Sequence, residues 1–299
     1  MKAYRVYQVD SFTTKRFYGN PAGVVVNADG LSDGQMQSIA RELNNSETAF
    51  ILSPKDKKAD VRVRFFTPTN EVPICGHATI AAHYVRALEL GLDKANVWQE
   101  TGAGILEVEI NKSENSYFIT MTQGAVQISN PLSSDIINKL IKALNIALDD
   151  LRSDCPICIA STGHSKVMIG IKSKELLDSL KPNQDLLISI SKEIGCNGYY
   201  VFALNEGFDV LVYGRMFAPA IGINEDPVTG NANGPLGAYL VHFNLFQNNE
   251  DEFKFRAVQG EAMGRPGSME VVVKKEDNRP KMVQIIGQAV IAFKTEILI

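Results

Sequence analysis

The sequence predicts an α/β protein built as two related halves, each wrapping β-sheet around one buried helix. Three observations carry this expectation. Strand-like segments outnumber helical ones and do not alternate strictly with them, which argues against a doubly wound parallel sheet. Two helical segments, Cys75–Val85 and Thr229–Val241, are apolar on nearly every face, as befits helices inside a core rather than on a surface. These segments also resemble each other: Gly76-His77-Ala78 and Gly230-Asn231-Ala232 each open a long apolar run, which points to a structural repeat.

The elements follow in order from periodicity and punctuation. Tyr4–Val9 alternates like a strand, Gly19-Asn20-Pro21 marks a loop, and Ala22–Val26 forms the next strand. Ser32-Asp33-Gly34-Gln35 resembles a capping box and opens a helix through about Leu43 that stops at Asn44-Asn45. Glu47–Leu52 is a strand with Glu47 at its mouth, and Val61–Phe66 alternates cleanly with Arg62 and Arg64 on one face. Residues 105–110 and 117–122 form a hairpin pair. After Asn130-Pro131, a helix is expected over 133–147 and another over Asp185–Ile194, ending at Gly195. Strands are expected over Val167–Ile171, Tyr199–Leu204 and Val210–Met216, with Val271, Val273, Ile285, Val290 and Ile291 in late strands. Pro235 is expected in the first turn of the second apolar helix, where a missing amide removes no intrahelical bond.

Composition narrows the function classes. The chain has 299 residues, 45% hydrophobic and 21% charged, with a net charge of -4, which is ordinary globular composition. No basic stripe suggests nucleic acid or an anionic membrane, and no apolar run is long enough to span a bilayer. Met1–Val6 lacks the apolar stretch of a secretory signal, so a cytoplasmic location is expected. Four cysteines, Cys75, Cys155, Cys158 and Cys196, are too few for a disulfide scaffold. Cys155-Pro156-Ile157-Cys158 has the spacing of a redox or metal pair. It has no second cysteine pair to complete a zinc site, however, and it runs into a strand rather than a helix. Two buried, inert thiols are the better reading. Phosphate-loop, dinucleotide, H-E-x-x-H and G-x-S-x-G motifs are absent, and none of the four histidines stands at ligand spacing. No cofactor and no metal are therefore expected.

The two apolar helices pose a chemical question. The first amides of a buried helix lack acceptors, and leaving them unsatisfied costs roughly 1–3 kcal/mol each. Small residues at Gly76 and Gly230 would let an anion approach those amides, aided by the helix dipole. Such a pair could bind a carboxylate or stabilise an enolate derived from one. Ionisable groups lie nearby in sequence: His77 in the first turn, Asp226 just before the second helix, and Glu47 among apolar neighbours. A carboxylate partly withdrawn from water is a stronger base toward a carbon-bound proton. Taken singly, each has a plainer role: a glycine for tight packing, a capping Asp, a structural His, a solvated Glu at a strand edge.

Several motifs together resemble a known family. Val9-Asp10-Ser11-Phe12, Gly19-Asn20-Pro21-Ala22-Gly23, Ser46-Glu47-Thr48-Ala49-Phe50, Arg64-Phe65-Phe66-Thr67-Pro68, Cys75-Gly76-His77-Ala78-Thr79, Arg215-Met216-Phe217-Ala218-Pro219 and Glu225-Asp226-Pro227-Val228-Thr229-Gly230 match the PhzF-like, phenazine-biosynthesis-type isomerases in order and spacing. Thr162–Met168 and Asn231-Ala232-Asn233-Gly234 are most similar to the bacterial YddE-type branch. The resemblance implies a diaminopimelate epimerase-like fold with two pseudo-symmetric halves, residues 1–125 completed by a strand in 286–299, and residues 126–285, with the active site in the cleft between them. It also implies a homodimer. Carried over, Glu47 takes a proton from one carbon and returns it to another, while His77 and Asp226 assist proton handling and orientation.

Two departures matter. Phenazine-pathway members have serine where this chain has Asn231, which cannot relay a proton as a hydroxyl does, so their precursor is a doubtful substrate here. Thiol epimerases of the same fold use two cysteines, and Thr229 stands where the second would be. The expectation is a cofactor-independent isomerase acting on a small carboxylate-bearing metabolite, with Glu47, Asp226 and His77 catalytic and Gly76, His77, Gly230 and Asn231 binding the substrate. The alternatives are a thiol-assisted epimerase using Cys75, and a non-catalytic carboxylate-binding protein.

Overall fold

Apolar alternation and a handful of caps lay out the elements much as their pattern requires. The computed structural model describes all residues except 115, 206–208 and 247–249. The chain divides into two compact units, Met1–Thr122 with Ile286–Ile299, and Gln123–Ile285. The first contains β1 (Ala3–Ser11), β2 (Asn20–Val26), α1 (Asp33–Leu43), β3 (Thr48–Leu52), β4 (Val61–Phe66), β5 (Glu71–Val72), α2 (Gly76–Leu90), β6 (Lys94–Thr101), β7 (Gly104–Ser113) and β8 (Ser116–Thr122). The second contains β9 (Gln127–Ile128), α3 (Ser134–Leu144), β10 (Cys158–Ser161), β11 (Lys166–Ile171), α4 (Lys174–Ser179), α5 (Gln184–Ile194), β12 (Tyr199–Leu204), β13 (Val210–Ala218), β14 (Ile223–Asp226), α6 (Gly230–His242), β15 (Glu252–Gln259), β16 (Gly267–Glu276) and most of β17 (Arg279–Gly287). The last strand, β18 (Ala289–Leu298), pairs antiparallel with β1 in the first unit.

In the first unit β1 pairs antiparallel with β2, β2 runs parallel to β3, and β3 is antiparallel to β4. Strand β4 then pairs with β5 and, in parallel, with β6. The second unit repeats this pattern with β10, β11, β12, β13, β14 and β15 in the same roles. Each sheet curls round its own helix: α2 packs on β1–β4, β7, β8 and β18, while α6 packs on β10, β11, β15 and β16. Helix α6 is buried on nearly every face, with eleven of its thirteen residues buried. Gly237 allows the close approach, because a Cβ there would stand 2.8 Å from side-chain atoms of both Val271 and Val273. No helix among the described residues is long and apolar enough to cross a membrane.

Local signals explain where helices begin and end. Ser32 caps α1 with its hydroxyl, Gln35 returns the bond, and Asn44 ends the helix in the left-handed conformation. The helix expected to reach residue 147 stops at Leu144, because Asn145 adopts the same left-handed cap at φ 56°. The expected position of Pro235 is wrong. Helix α6 starts at Gly230, so Pro235 lies in its second turn and deprives the Asn231 carbonyl of its intrahelical donor. A side chain serves that turn instead: Gln123 Nε2 donates to the Gly230 carbonyl at 3.0 Å and lies 3.4 Å from Asn231 Oδ1.

His83, fully buried in α2, lies 3.0 Å from Gln99 Oε1 through Nε2. Burial, and secondarily Arg86, hold its pKa down at about 4 against a usual 6.5, the Gln99 bond only partly offsetting them. The folded protein therefore binds fewer protons than the unfolded chain across this window. Stability from a neutral His83 is complete above about pH 6.5, falls as pH drops toward 4, and is fully lost below that, by roughly 3 kcal/mol. Urea melts between pH 7 and 4 should show this slope, and His83→Gln should flatten it.

Candidate active site

The first cluster gathers around the start of α2. Glu47 sits one residue ahead of β3, its carbonyl accepting from Gly23 N at 3.2 Å, which fixes the mouth of the strand against β2. Its carboxylate points to the helix: Oε2 lies 3.4 Å from Nε2 of His77, and both side chains are largely buried. Ser46 Oγ lies 3.3 Å from the same nitrogen, while His77 Nδ1 lies 3.4 Å from Cys75 Sγ. The backbone carrying these groups is pinned by Ser11 Oγ donating to the His77 carbonyl (2.8 Å) and Thr79 Oγ1 donating to the Cys75 carbonyl (2.7 Å). A Cβ on Gly76 would meet no atom within 4 Å, so packing does not demand glycine there. What glycine leaves at this position is open approach to the helix's first amides.

Glu47, Cys75 and His77 are the described residues whose ligand atoms could converge on an ion, all within 4.8 Å of one another. Cys75 and Glu47, however, address opposite nitrogens of one imidazole. A single ion could take only one of those nitrogens, so the three groups form a chain along which a proton can pass more readily than a metal cup.

The second cluster surrounds the start of α6. Asp226 ends β14, and its Oδ2 accepts from the Thr229 hydroxyl. Gln259 organises the turn: its Oε1 accepts from Thr229 N and Asn233 Nδ2 (both 3.1 Å), and its Nε2 donates to the Asp226 carbonyl (2.7 Å) and Thr229 Oγ1 (3.0 Å). Gln123 joins the turn from the other direction, its Oε1 accepting from Thr162 Oγ1 at 2.6 Å while its Nε2 reaches Gly230. The structure thus brings Glu47, Gly76 and His77 together in the first unit, and Asp226, Gly230 and Asn231 together in the second. Gln123 and Gln259 were not among the expected residues. Nothing in their local sequence marks them, since their partners lie far along the chain.

A shared arginine device supports both helix starts. Arg64 on β4 grips Glu71 with Nε and Nη2 (2.7 and 2.6 Å) and stands 5.0 Å over the Phe66 ring. Arg215 on β13 grips Glu225 in the same way (2.8 and 2.7 Å) and stands 5.0 Å over Phe217. Glu71 and Glu225 each precede the N-cap of the buried helix, Cys75 or Thr229, by four residues. The expected inert pair also has its physical cause: Cys155 and Cys158 are both buried, and burial pushes each thiol up to about 12.

The family profile of the phenazine biosynthesis-like proteins matches residues 9–295 of this chain. The chain belongs to the PhzF family. It is 58% identical to an uncharacterized isomerase of Clostridium acetobutylicum, over 100% of this chain and 99% of the relative. It is 51% identical to the uncharacterized isomerase YddE of Escherichia coli K12 over 98% and 97% of the two chains. At 32% identity, over 94% and 95%, it is similar to a trans-2,3-dihydro-3-hydroxyanthranilate isomerase of Pseudomonas chlororaphis. Among solved structures, a PhzF-family protein of Bacillus anthracis superposes with a TM-score of 0.89 at 35% identity, over the whole of both chains. A hydroxyproline epimerase of Agrobacterium vitis, at 13% identity and a TM-score of 0.63 over 99% and 92% of the chains, shares the fold alone. This PhzF-family protein is therefore an enzyme of the isomerase class, of the YddE-type branch, on the epimerase-like fold.

Proposed function

We propose that this PhzF-family enzyme is a cofactor-independent isomerase that shifts a proton on a small carboxylate-bearing metabolite, with Glu47 as its general acid/base. The observation that carries the reading is the Glu47 carboxylate held against His77 at the start of a buried helix. In the proposed step Glu47 takes a proton from a carbon next to an acidifying group, and the C–H electron pair moves into that group. The amides around Gly76-His77 and Gly230-Asn231 stabilise the anion. Glu47 then returns the proton to another carbon, or to the other face of the same one, which regenerates the carboxylate. His77 and Asp226 orient the substrate, and the network through Thr229 and Gln259 keeps the Asp226 carboxylate in one position. The test is a metabolite screen in D2O with wild type and Glu47→Gln side by side. Solvent deuterium should enter a ligand with the wild type only; binding without any exchange would point to a carboxylate-binding protein instead.

One observation favours a second reading, the contact of Cys75 Sγ with His77 Nδ1. A thiol there could be the acid/base of an epimerase, with Glu47 as the opposing base. Cys75→Ala separates the two. Under the Glu47 mechanism it should retain exchange within about tenfold of wild type, whereas a thiol epimerase should lose the roughly 10²–10⁴-fold that general acid–base catalysis contributes.

A further inference from the structure

The strand registers of the two units locate the counterpart of Glu47. In the first unit Gly23 pairs with Thr48 and Thr48 with Phe66; in the second, Val167 pairs with Tyr199 and Tyr199 with Phe217. The bond from Gly23 N to the Glu47 carbonyl is matched by one from Val167 N to the Gly198 carbonyl, at 3.2 and 2.8 Å. Gly198 therefore occupies the position of Glu47, and Lys166 that of Ala22. Where Glu47 projects a side chain, Gly198 has none, and Lys166 fills the space. A Cβ on Gly198 would lie 2.3 Å from Lys166 Cδ, 2.8 Å from Cε and 3.3 Å from Nζ.

We propose that Lys166 is an anion-binding residue, the second unit's charged counterpart of Glu47, and that it takes a carboxylate group of the ligand. The inference rests on the reading of the substrate as a carboxylate. An ammonium carries three donors, and among the described residues Lys166 Nζ uses one, to the neighbouring Ser165 carbonyl at 3.1 Å. The group is partly buried, where a cation with donors left unmet is unfavourable. Burial holds its pKa below the usual lysine value, while Cys196 and then Asp226 act on it through space in the opposite direction. The Asp226 carboxylate is itself engaged by the Thr229 hydroxyl. The loop that delivers Lys166 is tied to the first turn of α6: Thr162 bonds Gln123, and Gln123 bonds the Gly230 carbonyl. The repeat thus sets a carboxylate at one position of the first unit and an ammonium at the equivalent position of the second, which suits proton handling in the first and anion binding in the second.

The test measures binding of acetate, propionate, benzoate and succinate, each beside its primary amide, by saturation-transfer NMR on the full chain. Wild type, Glu47→Gln, Lys166→Arg and Lys166→Met are compared. Methionine keeps the apolar stem over Gly198 and removes the charge, and thermal melting checks that the variant is folded. Wild type and Glu47→Gln should prefer acid over amide for at least one pair. Lys166→Arg should keep the preference, and Lys166→Met should weaken acid binding by about tenfold and lose it. A preference that survives in Lys166→Met overturns the inference, as does a wild type with no preference in any pair. The outcome is separable from that of the Glu47 reading. Exchange in D2O that needs Glu47, with acid preference intact in Lys166→Met, sinks only Lys166; lost preference in Lys166→Met without exchange in wild type sinks only Glu47.

Discussion

Glu47→Gln should lower turnover of an identified substrate by roughly 10²–10⁴-fold while leaving the protein folded. Glutamine keeps the size and hydrogen-bonding reach of the side chain but cannot hold the abstracted proton. The backbone bond from Gly23 N to the residue 47 carbonyl does not depend on the side chain, so β3 should stay in register. The carboxylate's own contact with His77 is long, at 3.4 Å, and its loss should shift the melting temperature little. Steady-state kinetics together with a thermal melt would check both halves of the prediction. Near-normal kcat in the variant would remove Glu47 from the mechanism. A collapsed fold would make it a structural residue.

The second large effect concerns stability. Arg215→Met should destabilise the protein by about 3–5 kcal/mol, because it leaves a buried carboxylate without its partner. The Glu225 side chain is only 16% exposed, against 10% for Arg215. The guanidinium also donates to the main-chain carbonyls of Leu177 and Leu180, at 2.9 and 3.0 Å, and these would lose that donor too. The matching substitution in the first unit, Arg64→Met, should be milder, about 1 kcal/mol. Arg64 is as buried as its counterpart, but its partners are not: Glu71 is 41% exposed and Asp33 is 81% exposed, so water takes over when the arginine is gone. Urea titrations of the two variants give the comparison directly. A double variant, Arg215→Met with Glu225→Leu, should recover part of the loss, since it removes the stranded charge. Equal losses at the two arginines would show that partner burial is not the deciding factor.

Much of the fold was legible in local pattern. The Ser32–Gln35 capping box, the Gly195 stop and the clean alternation of Val61–Phe66 all act within a few residues, and the structure follows them. The two apolar helices were legible because a segment without a polar face has nowhere to go but a core. Pro235 was misplaced because the start of α6 is set by Thr229 and the turn before it rather than by the proline. The short strands β5 and β14 carried no pattern long enough to register, yet each supplies the glutamate that an arginine grips.

What the sequence determined by itself was the family, the pair of buried helices and the identity of Glu47, His77 and Asp226 as residues to watch, because motif order and short-range periodicity are properties of neighbours in the chain. What only the tertiary structure decided was which groups share a space. Gln123 and Gln259 brace the start of α6 from residues far from it in sequence. Lys166 lies over Gly198, the position that corresponds to Glu47. These pairings depend on strand register between distant segments, and the register that builds each unit's sheet also gives the lysine and glycine of the second unit the positions equivalent to Ala22 and Glu47 in the first.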